Sequence, residues 1–216
     1  AIKQNLIGIK KISKERILVE LYKILNLKSF ININESTYLK EIFNLIFPEF
    51  ANLKRLDRLK KILVYSKINL ELLLAILLID KESNHEYFCH KYNVSNDIRD
   101  GLNLLAKNLK LLENNKDFFT KDIEKYIYLN DKRHLINLNI LNFTSNPKYS
   151  FKNFSEAMKN ILKSKAHKFD IDGKYLMNRG MREGVLLGKV LRKIEEEWLE
   201  NNFKISDDRV QEIIKQ

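Results

Sequence analysis

At 216 residues the chain is long enough to bury a sizeable core, as one domain or two small ones, and its single cysteine, Cys89, excludes an internal disulfide and suits a reducing cytoplasm. The longest apolar run, residues 72–79, is eight residues long, far short of the roughly 20 that span a bilayer, and no secretory signal opens the chain. The formal net charge of +11 is unevenly spread: residues 1–67 hold 14 Lys and Arg against 6 Asp and Glu, whereas residues 166–216 hold 10 of each. A basic excess gathered in one part of a chain is the electrostatic footprint of a nucleic-acid binder. An AT-rich genome, which inflates Lys, Ile and Asn together, is the plainer source of the total.

Six glycines, two prolines and a scarcity of alternating β-branched runs predict an all-α fold with no β-sheet domain. Residues 1–11 read as the end of a helix, with Lys10 and Lys11 where positive charge suits the macrodipole. The chain opens at Ala1 in the middle of that pattern, as a piece of a longer polypeptide would. Ser13 is placed to cap a helix to Leu25 with Ile17, Leu21 and Ile24 inward. Residues 30–35 read as a connector and 36–47 as a helix stopped by Pro48. The helix expected over 51–65 is the most basic, with Leu53, Leu56, Leu59 and Leu63 on one face. Lys54, Arg55, Arg58 and Lys61 fall largely on the other. That is either an ordinary solvated face or a line of cations tracking RNA phosphates. Residues 69–79, apolar nearly all round, read as a buried core helix.

His85, Cys89 and His90 invite a metal reading, but no second ligand pair lies nearby to complete a four-ligand site. Tyr87, Phe88 and Tyr92 read as core aromatics. A long amphipathic helix over 94–113, capped by Ser95, turns Ile98, Leu102, Leu105, Leu109 and Leu112 inward. Shorter helices follow over 121–129 and 132–141. Residues 142–149, with Pro147, form the clearest linker, and a helix over 154–166 leads into the tail. Ser206 caps a last helix ending near Lys215.

The tail is punctuated by glycine. Asp172 and Gly173 stand where a short helix would start, and Gly180 where it needs a left-handed cap. From Gly184 a longer helix turns Leu187, Val190, Leu191, Ile194 and Trp198 to one face. Such a hairpin either only packs or also brings backbones close and offers the second helix's N-terminal amides to an anion. Lys174 and Arg179 stand beside it. No phosphate loop, nucleophile elbow or HExxH motif occurs. Asp170 and Asp172 read as capping residues rather than ligands for a metal.

The run Asp172-Gly173-Lys174-Tyr175-Leu176-Met177, Gly180, Gly184, Leu187-Gly188-Lys189-Val190-Leu191 and Glu197-Trp198-Leu199 resembles the C-terminal signature of class II tRNA nucleotidyltransferases. More narrowly, it resembles the bacterial CCA-adding enzymes and poly(A) polymerases, especially those of the alphaproteobacterial type. Ile12-Ser13-Lys14-Glu15-Arg16-Ile17, Glu20-Leu21 and Lys23-Ile24-Leu25 resemble the neck of the same family, and Phe47-Pro48-Glu49 its Leu-Pro-Glu. Arg182-Glu183 departs from the proline-containing turn of that pattern.

The resemblance implies an elongated bundle of neck (1–50), body (51–145) and tail (146–216). It implies a parent that adds CMP and AMP to tRNA 3′ ends with Mg²⁺, CTP and ATP bound in an N-terminal head. By the same resemblance no catalytic, metal or cofactor site would fall in this chain. Its implied partners are tRNA and that head, in the cytoplasm and with no membrane. The RNA contacts would fall on Lys10, Lys11, Lys14, Lys54, Arg55, Arg58 and Lys61, with a second clamp at Lys174, Arg179, Gly180 and Gly184. The same segment of a poly(A) polymerase, or a helical scaffold that binds RNA or protein, fits these residues too.

Overall fold

The computed structural model describes Gly8 and residues 11–65, 68–115 and 117–215. Among the described residues every regular element is helical and no strand occurs. Two compact units form. The first takes the described residues of Ala1–Lys121 together with Lys132–Lys163, the second those of Asp122–Asp131 and Ser164–Gln216. These units do not follow the boundaries at 50 and 145 expected from the sequence.

The first unit is built on α4 (Leu70–Leu78), after α1 (Lys14–Leu25), α2 (Thr37–Ile46) and α3 (Arg55–Leu59). The Asn69 side chain accepts from the Leu72 amide at 2.8 Å and starts α4, and every residue from Leu72 to Leu78 is buried. A helix apolar all round must be enclosed on every side. It is enclosed by α1, α3, α5 (Asn84–Lys91), α6 (Asn96–Asn114) and α8 (Lys132–Ser145). A second centre is aromatic: Phe30, Phe43, Phe47, Phe50, Phe88 and Tyr92 touch in sequence, ring centroids 4.9–6.2 Å apart. Tyr87, expected among them, is 59% exposed.

Two inward faces differ from the expected register. The segment after Pro48 is not one α-helix: α3 runs on into a 3₁₀ helix over Lys60–Tyr65. Leu53, Leu56 and Leu59 are buried, and the 3₁₀ winding, three residues per turn, continues their line at Ile62 while Leu63 turns outward. In α1 the buried line is Leu18, Leu21 and Leu25, and Ile24 is partly exposed. Ser13 caps α1 as expected, accepting from the Arg16 amide, and Ser36, read only as the start of a helix, caps α2 by accepting from the Leu39 amide.

Residues 142–149 are not a linker between domains. They end α8 and turn into α9 (Phe151–Lys163), which packs along α8 within the first unit, with Phe143 and Thr144 buried. The short loop makes antiparallel neighbours rather than a boundary.

The second unit joins α7 (Ile123–Asn130) to α10 (Gly173–Met177), α11 (Val185–Glu200) and α12 (Asp207–Lys215). Leu176, Ile194, Val210 and Ile213 are its buried centre, with Leu187, Val190 and Leu191 against them. Ser206 accepts from the Arg209 amide at 3.2 Å and caps α12.

His85 on α5 is buried, and its Nδ1 has no hydrogen-bond partner among the described residues. Burial holds its pKa below the ordinary histidine value, with Glu86 and Asp80 opposing part of the shift. The unfolded chain therefore takes up a proton at higher pH than the folded one. Stability is full above the unfolded value of about 6.5 and is lost as pH falls through the folded value. Urea titrations between pH 7.5 and 5.5 are expected to show falling stability, with a shallower slope in His85→Asn. An equal slope in the variant would exclude His85 as the source.

Candidate nucleic-acid interface

The seven cations expected to grip RNA in the N-terminal third divide into two groups. Lys11, Lys14, Lys54 and Lys61 are exposed, and no ion pair holds any of them among the described residues. Lys10 lies outside the described residues. Arg55 and Arg58 are differently employed. Arg55 Nη1 donates to the carbonyls of Ile76 and Ile79 at 2.9 and 2.7 Å, closing the C-terminal end of α4. Burial pulls its pKa below the ordinary arginine value, and Asp80 offsets part of this. Arg58 Nε donates to Phe143 O at 2.6 Å, and Nη2 to Tyr149 O at 2.8 Å and Asn146 O at 3.3 Å. Its guanidinium carbon sits 4.3 Å from the Phe143 ring centroid. The last carbonyls of a helix lack intrahelical partners. Where those ends pack into the core, the arginine fork supplies donors that water would otherwise provide. The expected line of four phosphate-facing cations on this helix is therefore two, Lys54 and Lys61.

In the second unit the glycine hairpin forms as expected. Asp172 Oδ1 accepts from the Tyr175 amide at 2.8 Å and starts α10. The helix ends in a Schellman motif: Gly180 N donates to Met177 O at 3.0 Å and Met181 N to Leu176 O at 3.2 Å. Gly180, with φ +94°, takes the left-handed position, and Gly184, with φ +150°, precedes α11. Close backbone approach is not what these glycines provide. A Cβ on Gly180, Gly184 or Gly188 would meet nothing within 4 Å, and only at Gly173 is a neighbour near, Leu187 Cδ2 at 3.3 Å. Gly184 gives α11 no side-chain cap, and its first turn holds no acid.

Of the two cations expected at this hairpin, Lys174 is exposed without an ion pair among the described residues. Arg179 is held: it lies 3.5 Å from the Tyr175 ring centroid and 3.7 Å from Asp207, which also accepts from the Tyr175 hydroxyl at 2.5 Å. Arg182, Lys189 and Arg192, passed over in the sequence, are exposed with no ion pair among the described residues. The signal for Lys189 and Arg192 was available as their position: in α11 they fall opposite the apolar stripe.

Metal chemistry finds no donor set. Among the described residues no group of three or more His, Cys, Asp and Glu side chains could hold an ion. His85 and Cys89 are buried while His90 is exposed, and burial pushes the Cys89 thiol up to about 11. No described helix is long and apolar enough to cross a membrane. No protein family, curated protein or solved structure matches the chain.

Four variants test these assignments. Arg58→Ala, which strands the carbonyls of Phe143 and Tyr149, is expected to lower unfolding free energy by about 2–4 kcal/mol. Lys61→Ala is expected to change it by less than about 0.5 kcal/mol, both measured by urea denaturation. Gly180→Ala, which forces a Cβ into the left-handed region, is expected to cost about 1–2 kcal/mol. Gly188→Ala, in open space within a helix, is expected to be neutral or stabilising.

Proposed function

We propose that this chain is the RNA-holding helical part of a tRNA nucleotidyltransferase of the CCA-adding type, seating the acceptor stem and elbow for a catalytic head in other polypeptide. The observation that supports it most is the agreement between residue pattern and geometry in the tail. The positions that carry the resemblance are the ones that start α10 at Asp172, end it at Gly180 and open α11 at Gly184. The exposed lysines of the first unit, Lys11, Lys14, Lys54 and Lys61, supply charge without an ion pair among the described residues.

Recognition of this kind needs no reading of base edges. An A-form helix presents phosphates and 2′-hydroxyls over a wide shallow groove, and cations on rigid helices meet them by shape. Arg55 and Arg58 belong to the scaffold in this proposal, holding α3 against the ends of α4 and α8 so that Lys54 and Lys61 are presented from a fixed surface. The nucleotide-transfer chemistry, with Mg²⁺, CTP and ATP, belongs to the head. Asp170 and Asp172 do not fit as metal ligands. Asp172 Oδ1 is taken by a backbone amide, and Asp170 is exposed beside Lys168. The cytoplasm is the compartment this role requires, and the single buried thiol accords with it.

The chain alone is expected to bind a tRNA transcript, with affinity falling steeply from about 50 to 200 mM salt, and to incorporate no nucleotide from CTP or ATP. Affinity independent of salt, or nucleotide incorporation by the purified chain, would overturn this assignment. Assay of the head-containing enzyme on tRNA lacking its CCA end separates CCA addition from poly(A) synthesis.

A further inference from the structure

Helix α11 carries its charges in the order its dipole disfavours. Lys189 and Arg192 fall in its first half, and Glu195, Glu196, Glu197 and Glu200 follow Lys193 in its second, whereas acids suit a helix N-terminus and cations its C-terminus. Part of this is explained by partners within the second unit. Arg209 Nε and Nη2 bind Glu197 at 2.6 and 3.0 Å, and the Tyr128 hydroxyl donates to Glu195. The cationic half has no such explanation at Lys189 and Arg192, which are exposed without an ion pair among the described residues. Arg182, just before the helix, is in the same condition.

Helical spacing sets Val185, Lys189 and Arg192 on one outward line, away from the Leu187, Ile194 and Trp198 side that faces the core. Between the cations the relief is low. Gly188 has open space where a side chain would stand, and Val185 is 80% exposed. A helix bound in a membrane interface needs a broad free apolar face, but here the apolar stripe is already packed into the unit's centre. What suits a low, cationic ridge is a polyanion whose charges lie on its outside at regular spacing.

We propose that the outward face of α11, with Arg182, Lys189 and Arg192 around Val185 and Gly188, docks the phosphate backbone of base-paired RNA without regard to sequence. This rests on the RNA-holding role proposed above and moves the tail's grip from Arg179, which is held by Asp207 and Tyr175, to cations that have no ion pair among the described residues.

The test compares the full chain with its K189E/R192E variant, using fluorescence anisotropy on a tRNA transcript and on a plain RNA duplex of about 16 base pairs. The variant is expected to bind both RNAs about tenfold more weakly at 100 mM salt. Its slope of log affinity on log salt is expected to be shallower by about 2. Its melting temperature is expected to stay or rise, since acids now meet the helix N-terminus. Unchanged affinity and slope would overturn the proposal, and so would equal displacement of the duplex by poly-L-glutamate at matched charge. A K54E/K61E variant run in parallel separates the two levels. If only that pair matters, the RNA-holding role stands and the α11 face falls; if the parent chain binds neither RNA, both fall. Should K189E/R192E not fold, K189Q/R192Q gives the same comparison of slopes.

Discussion

The fold of the first unit depends on closing the ends of buried helices. Helix α4 is apolar on every side, so its C-terminal carbonyls point into protein rather than water. A buried carbonyl without a donor costs about 1–3 kcal/mol. Arg55 answers this at Ile76 and Ile79, and Arg58 does the same at the corner where α8 turns into α9. Both come from the five-residue helix α3, so one short element is fastened to two distant stretches of chain, about 20 and 90 residues away.

That employment decides which cations remain for a ligand. A guanidinium with its donors spent on carbonyls, and its face on Phe143, has little left to offer a phosphate. Lysine, a single hydrated charge on a flexible stem, stays in solvent and keeps its charge available. The chain has 30 lysines and 9 arginines, and the scarcer residue is the one fixed in multiple contacts at Arg55, Arg58, Arg179 and Arg209. The division of labour is chemical: the planar forks of these four organise the protein, and the ammonium groups of Lys11, Lys14, Lys54, Lys61 and Lys189, with the guanidinium groups of Arg182 and Arg192, lie on its charged exterior.

Much of the fold was legible because local signals act locally. Ser13, Ser36, Asn69 and Asp172 cap the helices they were expected to start, and Gly180 takes the conformation its place demanded. The failures come from terms that periodicity does not contain. A 3.6-residue repeat placed Leu63 inward, but 3₁₀ winding put Ile62 there. Pro147 marked a turn, and nothing local told that Arg58, far upstream, would lock that turn inside one unit. The interface was half legible: positive charge is visible in a sequence, whereas whether a given cation is already occupied depends on carbonyls and carboxylates brought near only by folding.

Lysine footprinting of the full chain, by acylation with and without a tRNA transcript and read by mass spectrometry, tests this division most directly. Lys11, Lys14, Lys54, Lys61 and Lys189 should be protected by tRNA at low salt and released at high salt, while the exposed Lys107 and Lys110 on α6 react equally in both states. Protection spread evenly over all lysines, or absent at those five, would contradict it.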